Sequence, residues 1–174
     1  MAEAEKRPDI KPAWSTLEKV LQAACAVILL AHIILLIRFW NTLPASIPKH
    51  FDFFGNPDDY GSKNTMLMLP ILSVGLYVML TLLERFPRIY NFPVEINELN
   101  AAFMYQVARE LMVVLKTVIV AVFAYIDFGT VETAKGVWKG LGFWNLPVFI
   151  VLLLGSTIYY VVKIKRHKDN PHII

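Results

Sequence analysis

A single cysteine, Cys25, rules out an internal disulfide, and no pair of Cys or His spacings is available to build a structural zinc site. The chain also has no glycine-rich loop that could cradle a phosphate. Neither Ser46 nor Ser62 stands in a nucleophile elbow, so no catalytic constellation and no cofactor are indicated. There is no low-complexity segment, and no internal repeat aligns. Charge is present, as 17 basic and 14 acidic residues, but it is missing from long stretches of the chain. The segments 65–83 and 141–162 contain none at all. This segregation is what separates a membrane protein from a soluble domain of similar composition.

Four apolar stretches stand out: Val20 to Phe39, Thr65 to Leu83, Leu111 to Ile126 and Leu141 to Val162. Each is close to the roughly 20 apolar residues that cross about 30 Å of hydrocarbon. The third is the shortest, but the helix-favouring run Ala101 to Lys116 leads into it without Gly or Pro. The sequence therefore predicts an all-α integral membrane protein, a four-helix transmembrane bundle with a structured outer loop between helices 1 and 2. Its parts are an arm (1–18), one membrane domain (19–163, with the outer loop at 40–64) and a basic tail (164–174). Lys6, Arg7 and Lys11 precede the first span as in a signal peptide, but the apolar run is too long for a cleaved one. Cys25 comes before the apolar run, where a lipoprotein cysteine would follow it, and reads as a small packing residue.

Orientation follows from the basic residues near the span ends. The arm carries Lys6, Arg7, Lys11 and Lys19, the connection between spans two and three Arg85, Arg88 and Arg109, and the tail Lys163, Lys165, Arg166 and Lys168. The opposite side holds Arg38, Lys49, Lys63, Lys135 and Lys139. Eleven against five places both termini in the cytoplasm, with Trp40, Trp138 and Trp144 at the outer interface. The net charge of +3 is then a topology signal that favours anionic lipid at the cytoplasmic ends and gives no reason to expect nucleic acid. Pro70 with Gly75, and Pro147 with Gly155, lie at similar depths in spans two and four. They are candidates for kinks or close helix packing.

The first outer loop is the segment richest in possible chemistry. Pro44 and Pro48 fix backbone angles, Lys49 to Phe54 favours extended chain, and Gly55-Asn56-Pro57-Asp58 is a strong turn signal. An extended segment would put His50 and Asp52 on one face and Phe51 and Phe53 on the other, the phenylalanines buried on the helix ends. His50, Asp58 and Lys63 are candidates for ligand or partner contacts or, equally, for bonding backbone groups of the loop. His50 with Asp52 and Asp59 is a weaker possibility for a divalent metal, since a second nitrogen or sulfur ligand is missing. Within the spans the ionisable residues are His32 and Lys116. Each is a functional hypothesis by default. A neutral His32 bonded to a neighbouring helix is one alternative, and a snorkelling or inward-facing Lys116 the other. Arg109 and Lys116 share a helix face, where they could meet lipid phosphates or a partner's acidic groups, and snorkelling accounts for both equally well.

The pattern Leu43-Pro44-x-x-Ile47-Pro48-x-His50-Phe51, followed by Gly55-x-Pro57-Asp58-x-Tyr60-Gly61-Ser62-Lys63 between two apolar spans, resembles a bacterial membrane domain of unknown function, number 1648. That domain is related to the N-terminal part of SdpI-like proteins, the immunity factors of a sporulation-delaying peptide toxin. The resemblance singles out Pro44, Pro48, Phe51, Gly55 and Gly61 as loop-shaping residues and His50, Asp58 and Lys63 as polar contacts. It implies a binding, immunity-like or regulatory protein of the bacterial cytoplasmic membrane, whose outer loop meets a peptide, lipid or membrane-protein partner. Two other readings remain open: an accessory subunit of a larger membrane complex, and a small transporter or membrane enzyme using a polar path through His32 and Lys116.

Overall fold

The computed structural model describes residues 7–169, with side chains through 167; Lys6 and the side chain of Lys168 lie outside it. Four helices carry the architecture: α1 (Thr16–Phe39), α2 (Met68–Leu83), α3 (Ala101–Ala134) and α4 (Asn145–Asp169). With the short 3-10 turn that leads into α2, all four are long and apolar enough to cross a membrane. Large apolar side chains face outward along them, among them Ile37, Ile71, Val78, Val151 and Ile158. Such faces are compatible with a multi-pass membrane protein, because lipid tails replace the missing partners.

α1 starts at a reciprocal cap. The Ser15 hydroxyl accepts the Glu18 N–H, while the Glu18 carboxylate accepts the Ser15 N–H at 2.6 Å. Pro70 and Pro147 both fall in the first turn of their helices, where a missing N–H breaks no intrahelical bond. They mark helix starts, so the expectation of mid-span kinks is not met. Gly75 and Gly155 have open space where a Cβ would stand and therefore do not serve close packing either.

The third helix differs most from its expected span of 111–126. At 34 residues, α3 extends about 50 Å at 1.5 Å per residue and overshoots the apolar stretch at both ends. It is the hub, packing against α1, α2 and α4. At one end Met104, Tyr105 and Val107 form a core with Val94, Ile96, Tyr160 and Ile164. Midway, Cys25, Leu29 and Val120 pack together, as expected for Cys25. At the other end Val131 closes on Leu43, Ile47 and Met66.

The segment between α1 and α2 is an antiparallel hairpin of β1 (Ser46–Phe51) and β2 (Pro57–Ser62), paired from Ser46↔Ser62 to Phe51↔Pro57 with irregular register around His50. An isolated two-stranded hairpin is marginal, so its attachments decide its order. Ile47 is fully buried and is the anchor. This corrects the expectation that the phenylalanines bury: Phe51 is half-buried, while Phe53 and Phe54 at the tip are each 64% exposed. At the base, Lys63 Nζ donates to the Trp40 carbonyl at 3.2 Å and sits over its ring.

Candidate functional site

The hairpin tip is held by its own turn. Asp52 Oδ1 accepts the Asn56 N–H at 2.8 Å, and the Gly55 N–H reaches the Asp52 carbonyl at 2.9 Å. The Asn56 backbone N–H above all holds the Asp52 carboxyl below its usual range. Gly55 has φ +79°, and its backbone meets the α3–α4 connection, where the Leu141 N–H donates to the Gly55 carbonyl at 2.8 Å. A Cβ on Gly55 would come within 2.6–2.9 Å of the Gly142 backbone, so only glycine fits. Gly61, by contrast, has no positive φ. It pairs with Ile47 inside β2 and shapes the hairpin as a strand residue, outside the turn.

The polar residues of the hairpin divide into separate contacts. His50 Nδ1 lies 2.6 Å from Asp58 Oδ1 in an exposed pair, whereas Lys63 is occupied at the opposite end of the hairpin. Asp59 accepts from Lys49 at 2.9 Å, which holds its carboxyl below the usual range. The possible metal set His50, Asp52 and Asp59 is therefore not assembled: Asp52 belongs to the turn and Asp59 to Lys49. Among the described residues no three His, Cys, Asp or Glu side chains converge. What the tip does present is aromatic. Phe53 and Phe54 contact edge to face, and across the Gly55–Leu141 bond stand Phe143 and Trp144, 55% and 65% exposed. A cavity of about 270 Å³ is lined by Lys49, His50 and Phe53 together with Met68, Ile126 and Leu146.

A second constellation lies inside the bundle, and the sequence gives only part of it. His32 Nε2 on α1 is 2.6 Å from Asp127 Oδ2 on α3, both buried, and Ser73 Oγ on α2 is 3.4 Å from His32 Nδ1. With the Nε2 proton facing Asp127, Nδ1 is left to accept the Ser73 hydroxyl. Three helices thus meet at one polar layer. Eleven residues down α3, about 16 Å along the axis, Lys116 forms the next. Its ammonium donates to Gln22 Oε1 on α1 at 2.8 Å and to Thr81 Oγ1 on α2 at 2.9 Å. It also lies 2.8 Å from Glu84 Oε1, an approach without hydrogen-bond directionality and hence mainly electrostatic. Gln22 donates to the other Glu84 oxygen, and the Tyr77 ring faces the ammonium at 4.9 Å.

Of the two alternatives expected for Lys116, the inward-facing one holds, and Arg109 is buried as well. Lys116 is completely buried, and Arg109 forks onto both Glu18 oxygens at 2.5 and 3.1 Å while also binding the Pro12 and Ala13 carbonyls. A lipid-facing snorkel is excluded for both. Lys163 is likewise engaged, 3.3 Å from Glu110 and over the Tyr160 ring. Asp127 and Glu84 were missed because each stands just past the end of an expected span. The partner of Asp127, His32, an ionisable residue within an apolar span, is the available sequence signal that a polar group stands opposite it.

The comparisons fall on the hairpin region. Residues 26–74 match a family described as Domain of unknown function (DUF1648). An uncharacterised protein of the archaeon Archaeoglobus fulgidus is 34% identical over 62 residues, covering 31% of this chain and 34% of the relative. The chain thus spans about a third of the curated relative it matches. No solved structure matches. The part of this chain from mid-α1 through the hairpin into α2 is therefore similar to a domain family of unknown function.

Proposed function

We propose that the chain is a multi-pass protein of a bacterial cytoplasmic membrane, with both termini inside, that uses its hairpin outside to recognise an apolar segment of a peptide. The basic-residue count supports the orientation, and the outward apolar faces of the helices support insertion. The observation that carries the recognition reading is the group of four exposed aromatics, Phe53, Phe54, Phe143 and Trp144, on two segments whose backbones are bonded together. Aromatics on a fixed frame supply contact area at low entropic cost. His50 and Asp58 add an exposed polar pair beside them, and Lys63 steadies the base. The resemblance to SdpI-like immunity factors favours a membrane-active peptide as the partner. Anionic lipid at the cytoplasmic ends is the surrounding solvent of Lys165 and Arg166, both exposed.

A photoreactive phenylalanine at Phe53 or Trp144 tests this in intact cells. The expected result is one adduct of defined peptide mass at both positions and none with the probe at Phe149 on α4. Lipid adducts alone would make the aromatic end a membrane-interface anchor and end the recognition reading.

A second reading, a small transporter, is favoured by the two buried polar layers. The apolar contact of Cys25, Leu29 and Val120 lies between them. Proton flux in proteoliposomes that is abolished by Asp127→Asn would support it. Absence of flux in the unsubstituted protein would exclude it.

A further inference from the structure

Between the N-terminal arm and the end of α2 lies a cavity of about 610 Å³, the opposite end of the molecule from the hairpin. Two charged residues on its lining, Glu84 and Arg109, are already matched, to Lys116 and Glu18 respectively. Its wall is apolar, from Trp14, Phe86 and Ile89, the last two more than half exposed. Its remaining charged lining is predominantly basic, Lys11, Arg85 and Arg88 against the single carboxylate of Asp9. Arg88 is 4.0 Å from a mostly exposed Asp9 carboxylate, a weak pair. Among the described residues, neither Lys11 nor Arg85 has a carboxylate within 4.0 Å.

The frame around this cavity is fixed. Arg7 donates to the Arg88 and Tyr90 carbonyls at 3.0 and 2.7 Å, and the Tyr105 hydroxyl donates to the Pro8 carbonyl at 3.1 Å, so the arm is tied across the α2–α3 connection. The cavity also sits where the apolar run of α2 ends, the level at which that helix would leave hydrocarbon. A basic rim above an apolar wall at that level matches a phosphodiester above an acyl chain. We propose that this cavity is a binding site for an anionic phospholipid, its phosphate between Lys11 and Arg85 and one acyl chain along Phe86 and Ile89. The site depends on membrane insertion but not on peptide recognition at the hairpin. Soluble phosphate shares the headgroup chemistry and lacks the chain that the apolar wall would cover.

The test is native mass spectrometry of the purified full chain in detergent, titrated with phosphatidylglycerol and, separately, phosphatidylcholine. Phosphatidylglycerol should bind at least about tenfold more tightly. Lys11→Gln with Arg85→Gln should weaken it about thirtyfold, while Lys11→Gln alone, on the exposed arm, should weaken it about fivefold. The thermal transition should stay unchanged, because neither side chain packs in the core. Millimolar inorganic phosphate should fail to displace the lipid. The proposal is overturned by equal binding of the two lipids, by phosphatidylglycerol affinity within twofold of the original in Lys11→Gln, or by displacement with inorganic phosphate.

Discussion

Removing both partners of the Lys116–Glu84 pair should harm the fold little more than removing either one. Each side chain is fully buried, and the ammonium is shared among Gln22, Thr81 and Glu84 from two neighbouring helices. Glu84→Gln leaves a buried cation facing neutral oxygens, and Lys116→Met leaves a carboxylate with the Gln22 amide as its remaining donor. Breaking one side of a buried pair typically costs about 3–5 kcal/mol. Neutral interhelical hydrogen bonds in membranes average only about 0.6 kcal/mol, so most of that loss is the uncompensated charge. We therefore expect about 3 kcal/mol for each single change and about 3–4 kcal/mol for the double, a coupling of about 2–3 kcal/mol. Reversible unfolding in mixed detergent and SDS micelles measures all four corners of the cycle. Lys135→Ala, which opens the partly exposed pair with Glu132, calibrates the scale at about 0.5 kcal/mol. Additive single effects, with coupling below about 0.5 kcal/mol, would refute the charge-compensation reasoning.

Three further outcomes follow from the geometry. Gly55→Val should destabilise the tip by more than about 2 kcal/mol and make the hairpin protease-sensitive, since it combines a positive φ with backbone overlap at Gly142. Gly61→Ala should cost less than about 1 kcal/mol by thermal denaturation, because the nearest obstacle is the flexible Lys49 side chain. Amide exchange in the hairpin should be pH-dependent in the acid range. The Asp52 and Asp59 carboxyls are held below their ordinary value of 3.8 in the folded state, so their contribution is complete above that value and is lost as pH falls through the lower, folded one. Tip amides with equal protection factors, relative to their intrinsic exchange rates, at pH 5 and below pH 3 would contradict this.

The helices are legible because each rests on an apolar run, whereas the turn signal Gly55-Asn56-Pro57-Asp58 is displaced: the turn falls at Asp52–Asn56, and Pro57 and Asp58 already stand in β2. The buried charges are not legible. A span drawn from hydropathy stops before an acidic residue at its end, which leaves Glu84 and Asp127 outside the second and third spans, although α3 carries Asp127 inward to meet His32. Whether a charge is solvated or paired depends on what another helix places opposite it, which no single segment records. The anchor of the hairpin was hidden for a related reason. Phe53 and Phe54 look like better core residues than Ile47, but the alternation of β1 directs Ile47 onto Val131 and leaves the phenylalanines beyond the last pair of the ladder.

The membrane architecture with its hairpin outside is tested most directly by impermeant maleimide labelling of intact cells, using single cysteines in a Cys25→Ala background. Phe54 at the tip and Leu99, 95% exposed in the α2–α3 connection, are the informative positions; Ala101 is fully buried and would report nothing. The account predicts rapid labelling of Phe54→Cys in intact cells and labelling of Leu99→Cys only after the membrane is permeabilised. Labelling of Leu99→Cys with protection of Phe54→Cys in intact cells would contradict it.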